Sequence, residues 1–289
     1  MEYLENKELK ITLNPKGAEL TGFYDKSTET EYMWSGDPAF WGKHAPVLFP
    51  IVGTLKDNTY LYEGKAYQLS RHGFARDQMF SVEKQAQHTI CFSLAANETT
   101  LQQFPFAFRL DLLYTLQGRS LTCTYRVTNT DSDVLYFSIG GHPAFRLPLE
   151  KGTLYNDYYL EFEKEETAGR WLISADGLIE AESIPLMQGK ILPLQKSLFH
   201  KDAIVLKHLH STAVSLLSHK TSKGFRFDFT GFPYLGIWAA KDADFICIEP
   251  WCGIADAVNT NQDFTAKEGI NSLQAGAVFE RSWRVDILG

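Results

Sequence analysis

A large antiparallel β-sandwich is the fold this sequence predicts, and three observations carry the prediction. Leu121-Thr-Cys-Thr-Tyr-Arg-Val127, Phe225-Arg-Phe-Asp-Phe229 and Ser282-Trp-Arg-Val-Asp-Ile287 alternate inward and outward candidates with period two, the pattern of half-buried strands. Similar short segments recur along the chain between Gly, Pro, Asn or Asp, whereas a long apolar stripe at helical spacing is hard to find. The composition includes 20 Phe, 13 Tyr and 6 Trp, and these gather with β-branched residues in the same segments, where such side chains fit a pleated sheet.

Taken in order, the predicted strands are Leu9–Leu13, Thr89–Ala95, Leu110–Leu116, Leu121–Val127, Val134–Ile139 and Ala203–Leu206. They continue with Ala213–Ser218, Phe225–Phe229, Tyr234–Ala239, Phe245–Ile248 and Ser282–Ile287. Residues Glu150 to Gly189 are more polar and read as a long excursion between strands, in which Glu161-Phe-Glu-Lys-Glu-Glu166 is a solvated charge run. No linker, charge block or composition break divides the chain, so residues 1–289 are expected to form a single domain.

Composition also excludes functions. At 44% hydrophobic and 22% charged residues the chain is an ordinary folded globule, not a disordered or collagen-like one. Its 28 Lys and Arg against 35 Asp and Glu give a net charge of −7, so no nucleic-acid partner is expected. The start MEYLENKELK has no signal-peptide pattern and no apolar run approaches a membrane span, so a cytoplasmic protein with no membrane partner is expected. Cys91, Cys123, Cys247 and Cys252 form no CxxC pair and read as reduced core thiols. Asn97-Glu-Thr99 matches a glycosylation acceptor by letter and is read as chance.

Three segments break the strand grammar with Gly and Pro beside a titratable group. In Ser70-Arg71-His72-Gly73-Phe74-Ala75-Arg76-Asp77, Gly73 permits unusual dihedrals and two arginines flank a histidine, an arrangement able to hold a polar ligand. The same letters also describe a turn whose arginines pair with Asp77 or Asp57. In Ser138-Ile-Gly-Gly-His142-Pro143, a strand runs into two glycines, and Pro143 biases His142 to an extended backbone that fixes its imidazole as a general acid requires. A half-buried loop histidine is the alternative. In Phe245-Ile-Cys-Ile-Glu249-Pro250-Trp251, a carboxylate ends an apolar strand, where desolvation raises its pKa and improves it as a proton acceptor. Trp251 beside it can stack on a sugar ring, and an edge glutamate paired with an arginine is the alternative for Glu249.

His208 and His210, two apart, would share a strand face as metal ligands, but no third ligand is indicated and a solvated face is expected. Asp202, before Ala203-Ile-Val-Leu206, is in isolation an acidic strand-start residue. GxGxxG, P-loop, GxSxG and HExxH patterns are all missing from the letters.

His72-Gly-Phe-Ala-Arg76-Asp77, Gly140-Gly-His142-Pro-Ala-Phe145, Phe232-Pro-Tyr-Leu-Gly-Ile-Trp238 and Ile248-Glu-Pro-Trp-Cys-Gly253-Ile-Ala-Asp256 together resemble the aldose 1-epimerase (galactose mutarotase-like) family, in its LacX-like branch. The resemblance runs from Asn14-Pro-Lys-Gly-Ala-Glu-Leu20 to the terminal strand around Phe279–Ile287. It implies the galactose mutarotase-like supersandwich, and a cofactor- and metal-independent isomerase acting on a small-molecule sugar or sugar phosphate. By the same resemblance His142 is the general acid for the ring oxygen, and Glu249 is the base for the anomeric hydroxyl. His72 becomes a substrate-contacting histidine and Asp202 a ligand of sugar hydroxyls. Where relatives carry an arginine, this chain has Thr54, which lacks a forked charged donor; Arg71, Lys56 or Arg76 are the candidates to replace it. Two other classes stay open at this stage. One is a non-catalytic sugar-binding protein on the same fold, and the other a glycoside hydrolase pairing Glu249 with Asp202 or Asp228.

Overall fold

The computed structural model describes the backbone of residues 1–289 and the side chains of all but Lys84 and Gln85. Its two large sheets are antiparallel. The nine-stranded sheet runs, in spatial order, Gly189–Pro193, Tyr158–Glu166, Ala213–Ser218, Gly224–Asp228, Val278–Leu288, Ser120–Asn129, Phe108–Gln117, Thr89–Ala95 and Ser81–Ala86. The eight-stranded sheet runs Ile179–Ile184, Arg170–Ile173, Ile204–Lys207, Tyr234–Trp238, Phe245–Cys252, Ile139–Gly141 and Val47–Leu48, with Ala144–Arg146 also paired to Phe245–Cys252. Smaller sheets are built from the first 31 residues and from the pairs Thr59–Tyr62 with Lys65–Gln68 and Leu135–Phe137 with Asn271–Leu273. Among the described residues the one α-helix is Glu98–Gln103, capped by the Asn97 side chain, and no helix is long and apolar enough to cross a membrane.

Two of the predicted strands, Thr89–Ala95 and Ala213–Ser218, coincide with observed ones residue for residue. The predicted excursion does not. Glu150 to Gly189 contributes Tyr158–Glu166, Arg170–Ile173 and Ile179–Ile184 to the two large sheets. Its charge run is not uniformly solvated either: Glu166 is buried and accepts the N–H groups of Ser211 (2.6 Å) and His210 (3.2 Å), which satisfies the carboxylate. Alternation with polar residues hid the strand because one polar residue had a backbone partner far along the chain.

Aromatic side chains fill the space between the large sheets. Phe145 packs against Phe225 (4.3 Å between ring centroids) and Phe227 (6.0 Å), and Phe227 stacks on Trp283. Phe245–Cys252 lies inside the eight-stranded sheet, and all eight of its residues are buried. A strand covered on both faces reads as the continuous apolar run the sequence has there, and its single carboxylate, Glu249, therefore enters the interior.

The register of that strand positions the site. Ile139 and Gly140 pair with Cys252 and Trp251, while Ala144, Phe145 and Arg146 pair with Cys247, Ile246 and Phe245. Both short strands keep one register, so the interruption between them, His142-Pro143, stands opposite Glu249 and Ile248; Ile248 N–H reaches Pro143 O at 3.3 Å. On the other side Gly236 pairs with Glu249. Because side chains alternate, Cys247, Glu249 and Trp251 share the outer face with His142 and Gly140, and Ile246 and Ile248 point to the core.

Gly140 and Gly141 serve these two faces in turn. The sequence suggests that they specify unusual backbone geometry, but neither has a positive φ. What they specify is space: a β-carbon at Gly140 would lie 2.7 Å from Trp251 Cδ1, and one at Gly141 2.5 Å from Tyr125 Oη. Tyr125 accepts a buried hydrogen bond from Trp283 Nε1 at 2.7 Å, so the second glycine lets the two large sheets meet. Gly141→Ala is expected to destabilise the fold by about 1–3 kcal/mol through overpacking, read by urea or thermal unfolding; an unchanged midpoint would show that the sheets do not meet there.

Candidate active site

On the outer face of the eight-stranded sheet lies a cavity of about 480 Å³. Its walls include Trp41, Arg71, His72, Arg76, His142, Asp202, Trp238, Glu249 and Trp251, which brings together every site residue expected from the sequence. Beneath it Leu48, Val52, Ala203, Val205, Trp251, Ile254 and Ala255 form a small apolar cluster separate from the main core. The polar groups thus stand on a dry floor.

At the centre, His142 Nε2 is 3.3 Å from Glu249 Oε2, and both side chains are almost completely buried. This contact follows from the register, because directly opposed residues on one sheet face are natural neighbours. Burial disfavours charge on each. It brings His142 down to about 3, with the positive charges of Arg71 and Arg76 acting in the same direction. It also pushes Glu249 well above the carboxylate range; the Arg71 charge opposes that shift and the Asp202 charge adds to it. Both groups are thus pressed towards their uncharged forms, a neutral imidazole facing the Glu249 carboxyl across 3.3 Å. The other ring nitrogen, His142 Nδ1, and the indole Nε1 of Trp251 have no hydrogen-bond partner among the described residues.

His72 approaches His142 edge to face, with ring centroids 5.8 Å apart. His72 (φ 68°) and Gly73 (φ 70°) are both in the left-handed region, costly for a histidine, and the turn is anchored by reciprocal bonds to Gly53. His72 N–H donates to Gly53 O (2.8 Å), and Gly53 N–H donates to His72 Nδ1 (3.1 Å). Nδ1 is thereby an acceptor, so the neutral ring carries its hydrogen on Nε2. Burial holds this imidazole neutral by pulling its pKa well below the ordinary value, and the His142, Arg71 and Arg76 charges reinforce the effect. Gly53 must be glycine: its φ is +75°, and a β-carbon would sit 2.5 Å from Ala255 Cβ.

The wall carrying Ala255 is held from behind. Buried Lys267 donates to Ile254 O (2.6 Å) and Asp256 Oδ1 (2.8 Å), while Asp256 Oδ2 accepts Lys56 N–H (3.0 Å). Thr54, where an arginine was expected, lies against Gly177, whose β-carbon would be 2.7 Å from Thr54 Oγ1 and 3.8 Å from Arg71 Nη1. Of the three candidates to replace that arginine, Arg71 and Arg76 line the cavity and Lys56 does not. Arg71 Nη2 is 3.9 Å from Asp202 Oδ1, and Arg76 Nη2 donates to Arg71 O at 2.7 Å. The turn reading of this segment holds in part, since Arg76 Nε also lies 3.7 Å from Asp77 Oδ2.

Several functional candidates escaped the sequence reading. Trp41 stacks on His142 at 4.8 Å and Trp238 meets it edge-on at 5.5 Å. Trp238 stood inside a motif already singled out; Trp41 is in a loop with no local pattern. Trp251 is present, but it lies flat beside the glycines: a β-carbon at Gly236 would be 2.3 Å from its Cζ2. Cys247, read as a reduced core thiol, has its sulfur within 4.8 Å of a ring nitrogen of His142 and a carboxylate oxygen of Glu249. His208 and His210 are exposed and not part of any metal-binding group among the described residues.

A profile of the aldose 1-epimerase family matches residues 3–269. Protein LacX of Lactococcus lactis subsp. lactis is 34% identical over 296 aligned positions, covering 99% of this chain and 98% of the relative. Among solved structures, a galactose mutarotase-like protein from Lactobacillus casei superposes with a TM-score of 0.92 at 34% identity, over 99% of each chain. A galactose mutarotase related enzyme from Lactobacillus acidophilus gives 0.92 at 32%, over 99% of this chain and 96% of that one.

The raised pKa of Glu249 has a thermodynamic sign. The folded state keeps a proton that the unfolded chain gives up near pH 4.5, so stability is lost as pH rises from there through the folded value. Glu249→Gln carries no such proton. Its melting temperature is expected to exceed that of the wild type, by a margin that widens from pH 5 to pH 8. A margin independent of pH would mean that the carboxyl is not buried neutral.

Proposed function

The chain belongs to the aldose 1-epimerase family, and we propose that it is a mutarotase, interconverting the α and β anomers of an aldohexose or hexose phosphate. The observation that carries the proposal is the buried pair of His142 and Glu249, 3.3 Å apart at the bottom of a tryptophan-walled cavity. The anomeric oxygen and the ring oxygen of a sugar are both bonded to C1, so a base and an acid serving them must stand side by side. A separation of 3.3 Å meets that requirement.

In this reading the sugar's hydroxyls supply the polar surroundings the pair lacks, and the proton passes from Glu249 to His142. The carboxylate then takes the anomeric proton as the imidazolium protonates the ring oxygen, and the C1–O5 bond breaks to leave the open-chain aldehyde. This step returns the pair to neutral imidazole and carboxylic acid. After rotation about C1–C2, His142 removes the proton from O5, O5 attacks C1 from the other face, and Glu249 protonates O1. Each group gives and takes the same proton, so the cycle needs no cofactor.

The flanking residues bind. Arg71 Nε–H is directed at His72 Nε2 at 3.3 Å, while Gly53 N–H is directed at Nδ1; a neutral ring accepts at only one of these nitrogens, and a sugar oxygen between Arg71 and His72 can take an N–H from each. Asp202 accepts sugar hydroxyls opposite Arg71, and the Trp251, Trp238 and Trp41 rings cover the apolar faces of the pyranose. Arg71, Arg76 and Lys201 leave the cavity with excess positive charge while Glu249 is neutral, which accommodates a phosphate.

The test is exchange of the anomeric protons by NMR, or polarimetry, on α-glucose, α-galactose and their 6-phosphates against buffer alone. Acceleration is expected for at least one. His142→Ala and Glu249→Gln should each lower turnover by about 10²-fold or more. The rate should also fall on the alkaline side as the pair loses its last proton, with its midpoint above the ordinary carboxylate range. Near-normal turnover in both variants, or sugar binding without exchange in the folded wild type, would overturn the proposal.

A further inference from the structure

Three ligand atoms converge at the bottom of the cavity: a ring nitrogen of His142, a carboxylate oxygen of Glu249 and Cys247 Sγ, all within 4.8 Å of one another and all on buried residues. They are held by the same register that builds the acid–base pair. Cys247 and Glu249 are two apart on one strand and project to one face, and His142 stands opposite Glu249. The catalytic reading uses the nitrogen and the oxygen and leaves the sulfur unexplained.

We propose that this triad is an inhibitory site for a borderline-soft divalent cation of the Zn²⁺ class. With metal–nitrogen and metal–oxygen bonds of about 2.0 Å and a metal–sulfur bond of about 2.3 Å, a tetrahedral ion needs its nitrogen and oxygen ligands about 3.3 Å apart, and sulfur about 3.5 Å from each. His142 and Glu249 already stand at 3.3 Å. The sulfur, already within 4.8 Å of a ring nitrogen of His142 and an oxygen of Glu249, closes the triad by moving towards them. The fourth position opens into the cavity, where a water molecule or a sugar hydroxyl completes the coordination.

The donor set decides the ion. Thiolate with imidazole and a single carboxylate favours Zn²⁺ or Cd²⁺ over Mg²⁺ or Ca²⁺, which take oxygen ligands. Binding is an exchange of protons for metal. The ion occupies the His142 and Glu249 lone pairs that the acid–base chemistry uses, and the protons held by the carboxyl and the thiol leave to the buffer as one M²⁺ enters. Metal and catalytic proton therefore compete for the same atoms, so the bound form cannot turn over.

The inhibitory consequence rests on the mutarotase reading; the binding does not, and the two are measured separately. Cd²⁺ titrated into the full-length, metal-free protein under reducing conditions is expected to give the ultraviolet thiolate-to-cadmium charge-transfer band, saturating at one equivalent. Cys247→Ser, checked for folding by circular dichroism, should abolish the band, and Cys247→Ala serves as the second variant. Glu249→Gln should keep the thiol but bind about tenfold more weakly or worse, because losing a group that merely supports a ligand already costs about 10–100-fold. No band in the wild type, or the same band in folded Cys247→Ser or Cys247→Ala, overturns the site. In the exchange assay Zn²⁺ should slow the wild type, a chelator should restore it, and Cys247→Ser should need about tenfold more Zn²⁺ to halve its own metal-free rate. Equal Zn²⁺ sensitivity in the two proteins would overturn the inhibitory role even if cadmium binds. A wild type with the band but no exchange activity would keep the site and overturn the mutarotase reading instead.

Discussion

A single cross-strand register decides where chemistry can occur in this protein. Phe245–Cys252 is a buried strand whose neighbour is broken at His142-Pro143, and the break falls opposite Glu249 without shifting the register. Had the partner run on as regular strand, that position would carry one more ladder rung. The interruption instead frees an imidazole, and the buried strand supplies its only carboxylate at the same level. Everything else about the site follows from placing these two groups 3.3 Å apart in a dry interior.

Dryness works in two directions. It costs stability, since a buried ionisable pair is less favourable than apolar residues of the same shape. It also presses both groups towards their uncharged forms, lowering the pKa of the imidazole and raising that of the carboxyl. The surrounding rings sustain that state: Trp41 and Trp238 close over His142, and Trp251 covers the neighbouring backbone at Gly140 and Gly236. The glycines are thus part of the electrostatics, because only positions without a β-carbon let an indole lie close enough to exclude water.

Much of this was legible in the letters because strands alternate and because reactive residues stood beside Gly and Pro. Segments such as Ala213–Ser218 announced themselves through local pattern alone. So did His142 and Glu249, each at a break in an apolar run. What stayed hidden depends on partners remote in sequence. Glu166 looks solvated until Ser211, 45 residues on, gives it an N–H. Trp41 sits in a loop with no periodicity, and Cys247 is indistinguishable from a core thiol until the register sets His142 diagonally across from it. Gly140 and Gly141 were recognisable as special, but the reason, closeness to Trp251 on one face and Tyr125 on the other, is tertiary.

Thr54 sits where the same kind of remote contact decides what fits. A small residue at this position packs under Gly177, and Arg71 Nη1 stands close to that glycine from the cavity side. Arg71 precedes His72 in the turn whose left-handed backbone is fixed by two hydrogen bonds to Gly53, the residue before Thr54. One strained turn therefore places both the guanidinium and the second imidazole, and Gly53 ties that turn to the segment carrying Thr54. Arg71 is half-exposed and stands 3.9 Å from Asp202, so its five N–H donors are left largely free to meet a ligand in the cavity.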